Sequence, residues 1–386
     1  MQAATTSAVT ADTTLPGDGV QEPQPDPGGR PETGAGLQRL APLVRWESAL
    51  AIALVGVFIL GNSISSQFTS SYNLFTLGTN IGDLAILALP MTLIIITGEI
   101  DLSIASVLAL SAEVLGYLWI HHWAMPLIFV TVLAVGVVAG AVNGLLITRV
   151  GLPSLAVTIG TLTLYRGLAT VVLGPTTVSS FPSNYTVVGV NGPFGISWLS
   201  YSVVIFVVLA VIFGVVLRMT PFGRALYAIG LNQEAAFHAG IRVKRIKLML
   251  FILSGFVAAA VGVLYVFELS SAGENIGIGF ELQVITIVLL GGVSIFGGKG
   301  TILGVALAAF VYGGLRSALL LTSSFNENDF QVVSGGLLIL SVLIPNAASF
   351  AQRARLMIRR GRGPGRPKLP QPRPPEPNRQ QTGEAQ

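Results

Sequence analysis

The chain contains no cysteine. Disulfide frameworks, thiol nucleophiles and Cys-ligated zinc or iron–sulfur centres are therefore excluded. It is also poor in charge: 10% of its 386 residues are Asp, Glu, Lys or Arg, against about 25% in an ordinary soluble domain. Two soluble domains of this combined length would expose more water-facing surface than so few ionic groups could cover. Histidine is scarce as well, with three in all. His121 and His122 sit in a short polar break beside Trp119 and Trp123, and His238 lies in a loop. Neither position has a carboxylate at ligand or triad spacing, so no catalytic residue and no metal site is expected.

What is plentiful is apolar sequence: 52% of residues are hydrophobic, and the 45 glycines fall mostly inside apolar stretches. Membrane helices tolerate glycine well, because small residues let backbones approach closely in lipid. Ten apolar segments are candidates to cross a bilayer, which takes roughly 17–25 residues each. They cover approximately 46–62, 78–97, 102–120, 124–148, 153–173, 201–218, 247–267, 281–297, 301–321 and 330–350. Their apolarity is continuous rather than alternating, so helices are expected and not a β-barrel. The joins 97–102 and 297–301 are short enough for either flanking pair to contain a broken or re-entrant helix. Residues 1–45 and 351–386 are polar and rich in Pro and Gly, and are expected to be disordered tails flanking a transmembrane domain over 46–350. No apolar leader segment precedes about Ser48, so no signal peptide is expected.

Cation placement orients the chain. With the N-terminus in the cytoplasm and ten crossings, every Lys and Arg falls on the inner side except Arg166 and Arg316, which lie within segments. The outer loops carry only acids, among them Glu268, Glu274, Glu327 and Asp329. The expected fold class is thus an all-α polytopic membrane protein of about ten transmembrane helices, N-in and C-in. The basic tail then reads as an orientation signal attracted to anionic membrane lipid, and no nucleic-acid partner is expected.

Three local patterns carry chemistry. The first is Thr97-Gly98-Glu99-Ile100-Asp101-Leu102-Ser103, a polar break between apolar runs, followed by Glu113 within the next segment. Charge is costly at bilayer depth, and a broken helix beside carboxylates can line a polar pathway. Glu99, Asp101, Ser103 and Glu113 are candidate pathway residues on that reading. On the other, Glu99 and Asp101 merely reach the inner surface, with Asp101 capping a helix that starts at Leu102. The second is Gly136, Gly140 and Gly144, a small face for close helix packing. The third is the loop 219–246. There Asn232 can cap a short helix, Glu234 falls in its first turn, Ala235, Ala236 and Ala239 give it a smooth face, and Gly240 stops it. Such a helix suits docking into a groove on another protein, or lying on the membrane surface. Gly292–Thr301 is not a P-loop, since Gly300 follows Lys299 where a hydroxyl should be.

Glu234-Ala-Ala-x-x-x-Gly240, with the preceding Gly230 and Asn232, resembles the cytoplasmic coupling motif of ABC-importer permeases. The stretch Phe222–Ala236, Gly98-Glu-Ile-Asp-Leu-Ser103 and Leu290–Thr301 look like the monosaccharide (ribose/rhamnose-type) branch, across residues 75–345. Glu99 stands where that branch usually has Gly. The resemblance implies a sugar-pathway subunit in the cell membrane of a bacterium. Its implied partners are a second permease of the same or a paralogous kind, an ATP-hydrolysing cassette subunit carrying ATP and Mg, and an extracytoplasmic sugar-binding protein. This chain itself is implied to hold no cofactor. It also implies that Gly230, Asn232, Glu234, Ala235, Ala236 and Gly240 couple the permease to the cassette. The residues alone leave open a permease for another small polar solute, such as branched-chain amino acids, and an ion-coupled secondary transporter using Glu99, Asp101 or Glu113.

Overall fold

The computed structural model describes residues 35–273, 275–322 and 324–343, with side chains from Trp46 onward. The chain divides into Met1–Leu43 and Val44–Gln386, and of the first unit only the opening residues of a helix are described. The tail expected over 1–45 lies outside the described residues as far as 34, and the one expected over 351–386 lies wholly outside them.

The described residues form helices and no named strands; one isolated antiparallel bridge joins Val178 to Ala272. In order the helices are α1 (Ala35–Ile64), α2 (Ser71–Ile96), α3 (Ile104–Ile120), α4 (Met125–Leu145), α5 (Ser154–Leu173), the short α6 (Ser183–Thr186), α7 (Tyr201–Met219), α8 (Pro221–Leu231), α9 (Gln233–His238), α10 (Val243–Leu269), α11 (Phe280–Leu290) and α12 (Ile302–Leu320). A further helix, α13, covers 327–343. A π turn, Leu146–Val150, continues α4 until Gly151 ends it at φ +84°.

Seven of these are long and apolar enough to cross a membrane, while α3 and α11 are shorter apolar helices. The protein is an all-α polytopic membrane protein. Two expected segments change shape. The eighth, read as 281–297, is helical only over Phe280–Leu290, about 16 Å at the helical rise and roughly half a bilayer core. Gly292, at φ +84°, turns the chain out of the helix although Val293, Ile295 and Phe296 prolong the apolar run. The second begins at Ser71, earlier than its apolar run, because Ser70 caps it by accepting from the Asn73 amide.

The centre of the bundle is α2. It packs against α7, α10, α11 and α12, and 89% of its spanning stretch is buried, against 11% for Trp46–Ile64 of α1. The tightest pair is α4 with α10. A Cβ on Gly136 would lie 2.3 Å from the Gly255 carbonyl oxygen, and one on Gly140 would lie 2.2 Å from that of Phe251. The small face over Gly136–Gly144 is what lets the two backbones meet.

Candidate functional site

The cation-rich loop 219–246 marks one end of the bundle, and the three sequence motifs converge there. Gly230, near the end of α8, has no room for a side chain: a Cβ would stand 1.9 Å from the Ile96 carbonyl and 2.4 Å from the Gly298 amide nitrogen. That amide donates to the same Ile96 carbonyl at 2.9 Å. Gly98 and Gly297 adopt the left-handed backbone that lets their turns face one another. The Tyr227 hydroxyl then donates to the Gly300 carbonyl at 2.7 Å. Burial pushes this phenol above its ordinary pKa, which keeps the donor proton in place across the physiological range.

On this floor sits α9. Asn232 Oδ1 accepts from the Ala235 amide at 2.9 Å, Glu234 lies in the first turn, and Gly240 at φ +85° ends the turn beyond Ala239. Ala236 departs from the expected smooth face. It is buried with Ile229 and Val243 and anchors the helix, while Ala235 and Ala239 face outward together with exposed Phe237. A single turn cannot present Ala235 and Ala236 on one side, since neighbours on a helix are about 100° apart.

The 97–103 break is more deeply built in than a surface turn. Asp101 is buried, and α3 starts at Ile104, so Asp101 does not cap a helix beginning at Leu102. Its Oδ1 accepts from the Ser103 amide at 3.0 Å and the Ser103 hydroxyl at 2.6 Å. Oδ2 accepts from Ser254 Oγ of α10 at 2.7 Å. Asn143 of α4 donates to Ser103 Oγ at 2.7 Å, and Tyr165 of α5 donates to Asn143 Oδ1 at 3.3 Å. Asp101 is thus the hub of a polar network joining α3, α4, α5 and α10. Glu99 is ion-paired with Lys247 of α10. Glu113 is buried within α3.

At the opposite end, a cavity of about 500 Å³ opens between α2, α11, α12 and the segment after α10. Asn73, Thr76, Asn80, Asn275, Gln283 and the Arg316–Glu327 pair are among its polar residues, and Tyr265, Phe280 and Tyr312 supply its rings. Glu99, Asp101, Ser103 and Glu113 are not among its lining residues. Two charges left unassigned by sequence find partners near it. Arg316 makes a forked pair with Glu327, its Nη2 at 2.9 and 2.8 Å from the two oxygens. Arg166 donates to the carbonyls of Ile276 and Gly277 at 2.5 and 3.2 Å, pinning the segment that forms one wall. Asp83, passed over in the sequence, is fully buried in α2 next to Glu268 and Ser202.

Residues 73–342 match the family described as branched-chain amino acid transport system / permease component. The chain belongs to this permease family. Among similar curated proteins are the autoinducer 2 import system permease proteins LsrC of Salmonella paratyphi B and of Escherichia coli O9:H4. Each is 31% identical over 299 residues, covering 77% of this chain and 85% and 86% of theirs. LsrC of Salmonella typhimurium is likewise 31% identical, over 77% of this chain and 84% of its own length. No solved structure matches. The permease is of the ABC-importer, monosaccharide-type kind that its motifs resemble, and is a multi-pass protein of the plasma membrane.

Proposed function

We propose that this permease forms the membrane pathway of an ATP-driven importer for a monosaccharide-like solute handed over by an extracytoplasmic binding protein. The basic end faces the cytoplasm, and Asn232–Gly240 docks on a cassette subunit that binds ATP and Mg. A second permease, identical or paralogous, completes the path. The cavity at the other end supports the sugar reading. Side-chain amides offer a donor and an acceptor each, which suits vicinal hydroxyls, and Tyr265, Phe280 and Tyr312 offer apolar faces to ring carbons. The relatives named for autoinducer 2 import make that solute one of the candidates.

The family description names branched-chain amino acids, and that is the second reading. A zwitterion is best received by an acid and a base that are free to pair with it. On the cavity wall Arg316 and Glu327 are already bonded to one another, so the sugar reading is preferred.

Uptake of labelled ribose, rhamnose, autoinducer 2 and leucine into vesicles carrying the complete importer tests this. Glu234→Lys, exposed on α9, is expected to insert normally and to abolish uptake. Uptake that proceeds without ATP and collapses with the proton or sodium gradient would replace this reading with a secondary transporter.

A further inference from the structure

We propose that Lys247 is a charged latch through which movement of α9 reaches the break between α2 and α3. This rests on the reading that α9 docks on the cassette. Lys247 stands in the first turns of α10, its side chain 7% exposed, and is ion-paired with Glu99, 16% exposed. The same ammonium donates to Gln233 Oε1 at 2.6 Å. Gln233 is the first residue of α9 and is itself exposed. One cation is therefore shared by the docking helix, the break and the transport helix α10.

The ion pair is one of two grips that α10 has on the break. Seven residues further along, two helical turns and on the same face, Ser254 holds the Asp101 carboxylate. Between Glu99 and Asp101 lies only Ile100, so a displacement of Lys247 along or around the α10 axis strains both grips together. Water-poor surroundings make the Lys247–Glu99 pair a discrete contact rather than a graded one: separating it leaves two poorly solvated charges. Gln233 adds the element that a purely structural pin would not need, since the ion pair is complete without it. Drawing α9 toward the cassette removes one of the lysine's partners and frees the ammonium to shift relative to Glu99. Lys247 acts through these neighbours and is a positioning residue.

The absence of cysteine makes a solute-free test direct. In proteoliposomes holding the whole importer with its binding protein, Asn80→Cys places a single thiol of this chain in the cavity. Its labelling by an impermeant maleimide is timed without nucleotide and with ATP plus vanadate. The Asn80→Cys chain is expected to change its labelling rate about tenfold, within the usual range for coupled sites. Lys247→Met and Gln233→Ala should each cut that response to under about twofold. Lys247→Arg, and the exchange of Glu99→Lys with Lys247→Glu, should restore it. A full response in Gln233→Ala and Lys247→Met would overturn the latch and leave the docking reading standing. If Lys247→Met fails to insert, Gln233→Ala decides alone, because its side chain is exposed. No response to ATP in the parent Asn80→Cys chain would overturn the docking reading, and the latch with it.

Discussion

A buried carboxylate is stable only with its oxygens occupied, and Asp101 shows how completely that can be arranged. It accepts from Ser103 twice and from Ser254 once. Asp101→Ala should therefore orphan hydroxyl and amide donors at about 1–3 kcal/mol each. Thermal unfolding of the purified permease in detergent is expected to show a clear loss of stability, smaller for Asp101→Asn. Only half of this site was readable from the sequence. The Asp-x-Ser spacing announces a local turn, but Ser254 is 153 residues away and nothing in the spacing points to it. The same holds for Lys247, which looks like one more inside-facing cation until Glu99, 148 residues distant, is seen beside it. Glu99, Asp101 and Ser103 all have definite roles in the structure. They bond across helices, and none of them lines the cavity.

For the helices, legibility depended on whether the cause was periodic. Gly136, Gly140 and Gly144 share a face by arithmetic alone, and the structure seats that face on α10. Gly140→Leu would drive a side chain into the Phe251 carbonyl, so at least the 1–3 kcal/mol of overpacking is expected, visible as loss of folded permease on size-exclusion chromatography. Gly160→Ala on α5 is the matched control. Its Cβ would have nothing within 4 Å, and helix propensity favours Ala by about 1 kcal/mol. Where apolarity and structure part company, the reading by hydropathy failed. Val293, Ile295 and Phe296 continued an apolar run past the end of α11. Conversely, Asn73, Thr76 and Asn80 made the start of α2 look like loop. Their spacing of three and four residues was the available signal: a polar stripe on one helix face, turned toward the cavity.

At the scale of the molecule, the polar cavity and the motif junction occupy opposite ends of one bundle, and α2 runs between them from Asn73 to Ile96. Substitutions at the two ends should separate kinetically. Asn80→Leu or Gln283→Leu is expected to raise the KM for uptake about tenfold, the worth of one hydrogen bond of about 1.4 kcal/mol. ATP-dependent turnover at saturating solute should stay near that of the parent. A fall in maximal uptake with KM unchanged would place the solute elsewhere. The enclosure of α2 also has a bearing on how this chain can change over generations. A helix sheathed by its own neighbours has no lipid to satisfy, so its constraint is volume: Leu87 or Leu89, both fully buried, cannot be trimmed without leaving a void. For Trp46–Ile64 the position is reversed. Val55 and Ile59 are largely exposed on this chain, so their size matters little and their oiliness a great deal. Drift in the first helix should shuffle Val, Leu, Ile and Phe freely, whereas drift in the second should come as compensating pairs.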